Sequence, residues 1–292
     1  MSTTTTAPQA KARAKGRALF SVGTELRRQG SRPRTKIALA CMAALPLIVL
    51  IAFEFGGGGG DDDNNGGGAF SSLVDVATAG GANFALFTLL VSSSFLLVVV
   101  VALFFGDTIA SEASWGSLRY LLAIPVPRAR LLGVKLVVSL IYSAIAMIAL
   151  VGTALLAGTL RYGWNPLRST IADEVSANEA FRLVLTASAY IFITLLAVGA
   201  IAFLLSVSTD APLGAVGGAV MIVIVSSILD QIEALGGIRN FLPNHFNDAW
   251  VGLLSTPIQW DTMVRGTISA VIYASVLSGL AFWRFLRKDV VS

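Results

Sequence analysis

Charge is scarce in this sequence. Of its 292 residues only 13% are Asp, Glu, Lys or Arg, and 55% are hydrophobic, with a mean hydropathy of +0.77. A soluble domain carries about 25% charged residues, so the chain lies outside that class. Long polar stretches are equally lacking. No piece between its apolar runs approaches the roughly 100–200 residues of an independent globular domain, which excludes a built-in soluble catalytic or nucleotide-binding domain. The single cysteine, Cys41, rules out an intrachain disulfide and a cysteine metal site. The single histidine, His245, rules out histidine-clustered metal chemistry. No G-x-x-x-x-G-K-[ST] phosphate loop occurs, so the chain has no such means of binding ATP itself.

What it has is apolar length. Six runs, at 37–55, 84–106, 136–158, 183–206, 212–232 and 266–283, are each 18 residues or longer. Runs of that length read as membrane-spanning helices. The expected fold is therefore all-α and polytopic, with six transmembrane helices. The 36 residues before the first run are too long and too basic for a signal-peptide n-region, and no A-x-A-type cleavage site follows, so that run reads as a retained span. Six spans place both termini on one side. Sixteen lysines and arginines fall on the side of the termini and five on the other. The positive-inside rule then makes both termini cytoplasmic. The net charge of +4 reflects this orientation and gives no case for a nucleic-acid partner.

Along the chain, residues 1–16 are Thr-, Ala- and Lys-rich and read as a disordered tail. Residues 17–36 read as a cytoplasmic amphipathic helix. Leu19, Val22, Gly23 and Leu26 form its stripe, and Arg17, Arg27 and Arg28 lie off it, as suits a helix lying on the inner membrane surface. Residues 37–292 form the transmembrane domain. Between spans one and two, GGGGGDDDNNGGG at Gly56–Gly68 lacks both an apolar group and the ligand spacing of a calcium loop, and reads as an external linker. The external segment 160–182 is polar, with Tyr162 and Trp164 suited to the membrane interface. The segment 233–265 is too apolar for a solvated loop and too broken, by Gly236, Gly237, Pro243 and Pro257, to span. It reads as an external re-entrant segment of one or two short helices that dip into the outer leaflet or lie on it, and non-helical backbone at that depth needs protein or a wet cavity around it.

The cytoplasmic loop 107–131 carries the most information. After an acidic, Ser-rich exit from span two, Ser117–Ile124 forms a short apolar-basic helix that Pro125 and Pro127 stop. Leu118, Leu121 and Leu122 share one face and Arg119 points elsewhere. Exposed leucines on such a knob need lipid or a protein partner. The run from Glu112 to Arg128, E-x-x-x-G-S-L-R-Y-L-L-x-x-P-V-x-R, with Lys135 opening the next span, resembles the signature of type-2 ABC exporter permeases. Gly116-Ser117-Leu118-Arg119 stands where that family usually has G-T-L-R, and Pro127 where Ser is common. Glu25-Leu26-Arg27-Arg28, the Pro46-bearing first span, and Leu242-Pro243-Asn244-His245-Phe246 before Trp250 fit the same resemblance.

The resemblance implies a permease subunit of the prokaryotic plasma membrane that is not itself an enzyme. Two such subunits, identical or related, would work with two separate ATPase subunits that bind the ATP, and the chain itself would hold no cofactor or metal. Residues 112–128 would be the coupling helix. Glu112 and Arg119 would supply polar contacts to the ATPase, Leu118, Leu121 and Leu122 apolar ones, with Gly116, Tyr120, Pro125 and Arg128 completing the element. The cargo expected is lipophilic or drug-like, moved outward. An anchor or immunity subunit that binds an ATPase without transport would need the same knob.

Within the spans, Gly214 and Gly218 form a G-x-x-x-G that admits a close helix neighbour, either from a second copy or from this chain. Ser92, Ser93 and Ser94 line a path or bond their own helix. Glu54, Asp230, Glu233 and His245 read as anchors or caps at span ends. The span centres hold essentially no ionisable groups, which argues against intramembrane catalysis and proton-coupled transport.

Overall fold

The computed structural model describes residues 21–56, 68–114, 127–168 and 174–287. The tail 1–16 and nearly all of the glycine linker lie outside these residues. So do residues 115–126, with Gly116, Leu118, Arg119, Tyr120, Leu121, Leu122 and Pro125.

Helix α1, Val22–Ser31, starts where the Ser21 hydroxyl accepts the Thr24 amide at 3.3 Å. It ends at Arg32, and Pro33 opens α2, Pro33–Gly56, at the position where a missing N–H costs nothing. Then come α3 (Gly68–Ala77), α4 (Gly81–Ser93), α5 (Leu96–Ser114), α6 (Arg128–Tyr162), α7 (Ala177–Ser208) and α8 (Pro212–Asp230). Two 3₁₀ helices, Glu233–Phe241 and Asn247–Leu254, lead to α9, Trp260–Arg287. No strand occurs among the described residues; Leu167 and Val175 make one isolated antiparallel bridge.

Six helices, α2 and α5 to α9, are long and apolar enough to cross a membrane. Their apolar stretches divide into two groups. Those of α5, α7 and α6 are 78%, 67% and 56% buried, whereas those of α2, α8 and α9 are 17–22% buried. The first three therefore form the core, and the other three pack around it with isoleucine and leucine facing outward (Ile48, Leu213 and Ile272 among them). Close crossings rest on missing side chains: a Cβ on Gly106 of α5 would lie 2.9–3.3 Å from Val216 of α8. Between α4 and α6, a Cβ on Gly81 would meet the Thr159 main chain at 2.8 Å.

Three boundaries differ from the sequence reading. The second span is two helices, α4 and α5, with a break at Ser94-Phe95. Just before the break, the Ser92 and Ser93 hydroxyls donate to the Thr88 and Leu90 carbonyls, competing with the main-chain ladder. The cytoplasmic loop expected at 107–131 is helical at both ends, because α5 runs on to Ser114 and α6 begins at Arg128. Asp107 and Glu112 do not end the helix since both are buried and ion-paired. Helix α6, at 35 residues, is about 50 Å long at 1.5 Å per residue, beyond the ~30 Å of a bilayer core.

The segment expected to be re-entrant is folded back over the ends of α7, α8 and α9. Tyr190 Oη donates to the Phe246 carbonyl at 2.6 Å, Asn244 Nδ2 to Ser227 Oγ at 2.8 Å, and Tyr273 Oη to the Phe241 carbonyl. His245 Nδ1 lies 2.5 Å from Asp230 Oδ1. The segment's own Trp250 and Leu253 are buried. The backbone turns at Gly236, whose φ of +49° suits a residue without a side chain.

Candidate functional site

At the end of the bundle where α1 packs, four cations and three carboxylates converge from four helices. The α1 helix brings Glu25 and Arg28. Arg32 and Arg34 stand at the joint into α2. The last two turns of α5 bring Asp107, Ser111 and Glu112, and the second turn of α6 brings Lys135. Lys135 Nζ is 3.1 Å from Glu25 Oε1 and 3.3 Å from Glu112 Oε1. Arg28 bonds Glu25 at 2.9 Å and also bonds Glu112. Arg32 bridges Asp107 at 3.2 Å and Glu112 at 3.1 Å, and Arg34 bonds Asp107.

This cluster is dry at its centre. Lys135, Glu112 and Asp107 are each only 1–2% exposed, and Glu25 5%. Charges so placed must be paired, because desolvation of each ion costs several kcal/mol before attraction offsets it. Burial alone would lower the Arg28 pKa, and the neighbouring Glu25 and Glu112 carboxylates more than offset this, leaving it above its ordinary value. Neutral bonds lock the same corner. Tyr142 Oη donates to the Leu26 carbonyl at 2.7 Å, Ser139 Oγ to the Phe104 carbonyl at 2.8 Å, and Ser206 Oγ accepts from the Ile109 and Ala110 amides, each at 3.0 Å. Helix α1 is thereby seated on α6, and the end of α5 on both α6 and α7.

Sequence reasoning placed α1 with its apolar stripe toward lipid. In the structure its most buried residues are Glu25 and Gln29, while Val22 and Leu26 pack half-buried beside them. Of the residues expected to contact an ATPase, Glu112 joins the cluster and Arg128 is half-buried at the start of α6; the rest lie outside the described residues. Glu25, Arg28, Arg32, Arg34, Asp107 and Lys135 were not expected to meet. A signal was present: acids at 107 and 112 following an apolar run, facing an arginine-rich 27–34.

A second feature lies midway along the bundle. The break between α4 and α5 and one side of α8 border an open groove of about 330 Å³ lined by Phe95, Val98, Val220, Val223 and Ile224, with Ser94 and Ser227 as its hydroxyls. Nearby, Gly218 of α8 faces Leu205 of α7, with a Cβ placed 3.2 Å away, and Gly214 lies over Ala211 and Thr209. The G-x-x-x-G residues thus contact their own chain.

Residues 64–291 match the family described as protein of unknown function, DUF2705. The chain belongs to the DUF2705 family. No curated protein matches it. The DUF2705 match takes in α3 to α9, with Asp107, Glu112 and Lys135. It leaves out α1 and α2, which bring Glu25, Arg28, Arg32 and Arg34.

Proposed function

We propose that this chain is the transmembrane permease subunit of an ATP-driven exporter in the plasma membrane, with both termini cytoplasmic. It would act with two copies of a separate ATPase and with a second permease copy. The observation that carries this reading is the ion-paired cluster at residues 107–135. Residues 115–126, where the sequence predicts an apolar knob, join the end of α5 to the start of α6 in the chain. Glu112 and Lys135 fasten these two stems to each other, and Glu25, Arg28 and Arg32 fasten them to α1 and α2. A push on the knob would therefore move four helices as one body, as a coupling element requires. In the same reading α1 rides beside the ATPase.

The open groove at the α4–α5 break favours transport over a purely anchoring role, since an anchor needs no recess between its spans. Its apolar walls and few hydroxyls suit a lipophilic cargo. A photocrosslinking amino acid at position 121, activated in intact cells, tests the proposal. An adduct with a P-loop ATPase is expected, and adducts with lipid alone would sink it.

A further inference from the structure

Between the start of α7 and the turn after the second 3₁₀ helix lies an open groove of about 480 Å³. Leu183, Leu253, Pro257 and Ile258 give it apolar walls, and Glu179 and Arg182 border it from α7. A second open groove, of about 320 Å³, follows the seam between α7 and α9. It passes Thr186, Tyr190 and Ile193 on one side and Met263, Val264 and Ile268 on the other. Residues 179, 182, 183, 186, 190 and 193 fall at i, i+3, i+4, i+7, i+11 and i+14, so one face of α7 carries both grooves. On the opposite wall the first ends at Ile258 and the second begins at Trp260. Together they make a charged recess that continues into an apolar trough.

Both charges of the recess are available to a ligand. An acid and an arginine one helical turn apart commonly pair. Here Glu179 accepts only the Ser176 hydroxyl, at 3.2 Å, and the Arg182 side chain has neither an ion pair nor a hydrogen bond among the described residues. The hydroxyls deeper in the seam are spent on the chain itself. Thr186 Oγ1 donates to the Arg182 carbonyl at 2.9 Å, and Tyr190 Oη to the Phe246 carbonyl at 2.6 Å.

Aromatic side chains mark the level of the recess. Trp164 and Phe181 have ring centroids 6.0 Å apart, and Trp260 stands half-exposed where the two grooves meet. Tryptophan favours the membrane–water interface. Leu183 opens the long apolar run of α7. From there to Ile193 the helix rises about 15 Å at 1.5 Å per residue, half of a ~30 Å bilayer core and so the depth of one leaflet.

We infer that this trough binds a membrane phospholipid with a phosphoethanolamine head group. Arg182 takes the phosphate, Glu179 takes the ammonium through its N–H groups, and one acyl chain lies along the α7–α9 seam. A glycerol head group would leave Glu179 without a cation, and a choline head group would offer it no N–H. The inference stands apart from the exporter reading, because it needs neither an ATPase nor a cargo.

The test uses the full chain in phosphatidylcholine nanodiscs. Two photoreactive lipids are added in turn, a phosphatidylethanolamine and a phosphatidylglycerol, each with the same diazirine midway along one chain. Label is expected at residues 186–193 and 260–268, more from the ethanolamine lipid than from the glycerol one. Glu179→Gln should cut the ethanolamine label about two- to fivefold, the range an exposed ion pair supports, and bring it to the glycerol level. Arg182→Gln should lower both labels by a similar factor. Ala189→Trp, which fills the seam from an exposed position, should remove both. Label on the exposed face of α2, at Ile48 and Ile51, should stay unchanged throughout, showing that each variant is folded and embedded. Equal labelling of the seam by the two lipids in wild type would overturn the inference. So would ethanolamine labelling that is indifferent to Glu179→Gln or to Arg182→Gln, since ordinary boundary lipid behaves in that way.

Discussion

Lys135 and Glu112 lie 3.3 Å apart across 23 residues of chain, on the two helices that lead into and out of residues 115–126. Each is 2% exposed or less, so neither charge has water to fall back on. The same ammonium reaches Glu25 on α1, and the same carboxylate takes Arg28 and Arg32. The pair is the centre of a network, and removal of either partner would cost the other one of its ionic bonds.

Lys135→Met should therefore destabilise the chain by roughly 1.5–3 kcal/mol, since it removes one of the two cations that Glu25 and Glu112 share and leaves Arg28 as the other. Lys135→Arg should lose less. Thermal unfolding in detergent, followed by tryptophan fluorescence, reads the difference. Equal midpoints for wild type and Lys135→Met would show that the cluster is not the buried lock described.

Two glycines should respond oppositely to the same change. Gly81→Ala puts a methyl 2.5 Å from Thr159 Oγ1 and 2.8 Å from its main-chain nitrogen, so α4 must move off α6. Overpacking of this kind costs about 1–3 kcal/mol. Gly133→Ala, in the first two turns of α6 with nothing within 4 Å, should stabilise by about 0.5–1 kcal/mol through lower helix-forming entropy. The same unfolding assay decides both.

The basic excess near α1 predicts which end faces the cytoplasm. In a Cys41→Ser background, a membrane-impermeant maleimide added to intact cells should label Gln259→Cys and spare Arg27→Cys. Both positions are exposed. The reverse pattern would place the ion cluster outside and remove the basis for an ATPase partner.

Ile224→Trp, which narrows the groove between the α4–α5 break and α8, should reduce efflux of lipophilic compounds from cells by at least tenfold while leaving the amount of chain in the membrane unchanged. Efflux equal to wild type would take the cargo path away from this groove.

Much of the architecture was legible because membrane burial is written in long apolar runs, and five of the six expected spans coincide with single helices. The second does not, because hydropathy is blind to a break inside an apolar run, and Ser92, Ser93 and Ser94 were read only as lining a path or bonding their own helix. The ends of α5 and α6 were misplaced for a related reason. Asp107, Glu112 and Lys135 look like loop residues until their partners arrive from residues 25–34, far away in sequence. Helix α1 shows the same limit. Its apolar stripe was read as a lipid-facing surface, yet Glu25 turns inward, where α6 offers it Lys135. Composition tells which residues avoid water. It does not tell which charges will find one another.

We propose that a separate ATPase docks on residues 115–126, which the chain connects to Glu112 on one side and Lys135 on the other. Co-purification of the tagged chain from its own membranes, wild type against the Leu121→Asp, Leu122→Asp double variant, tests it most directly. The account predicts that a P-loop ATPase comes down with wild type and is lost from the variant. A chain that brings down no ATPase in either form, while remaining folded and in the membrane, would contradict it.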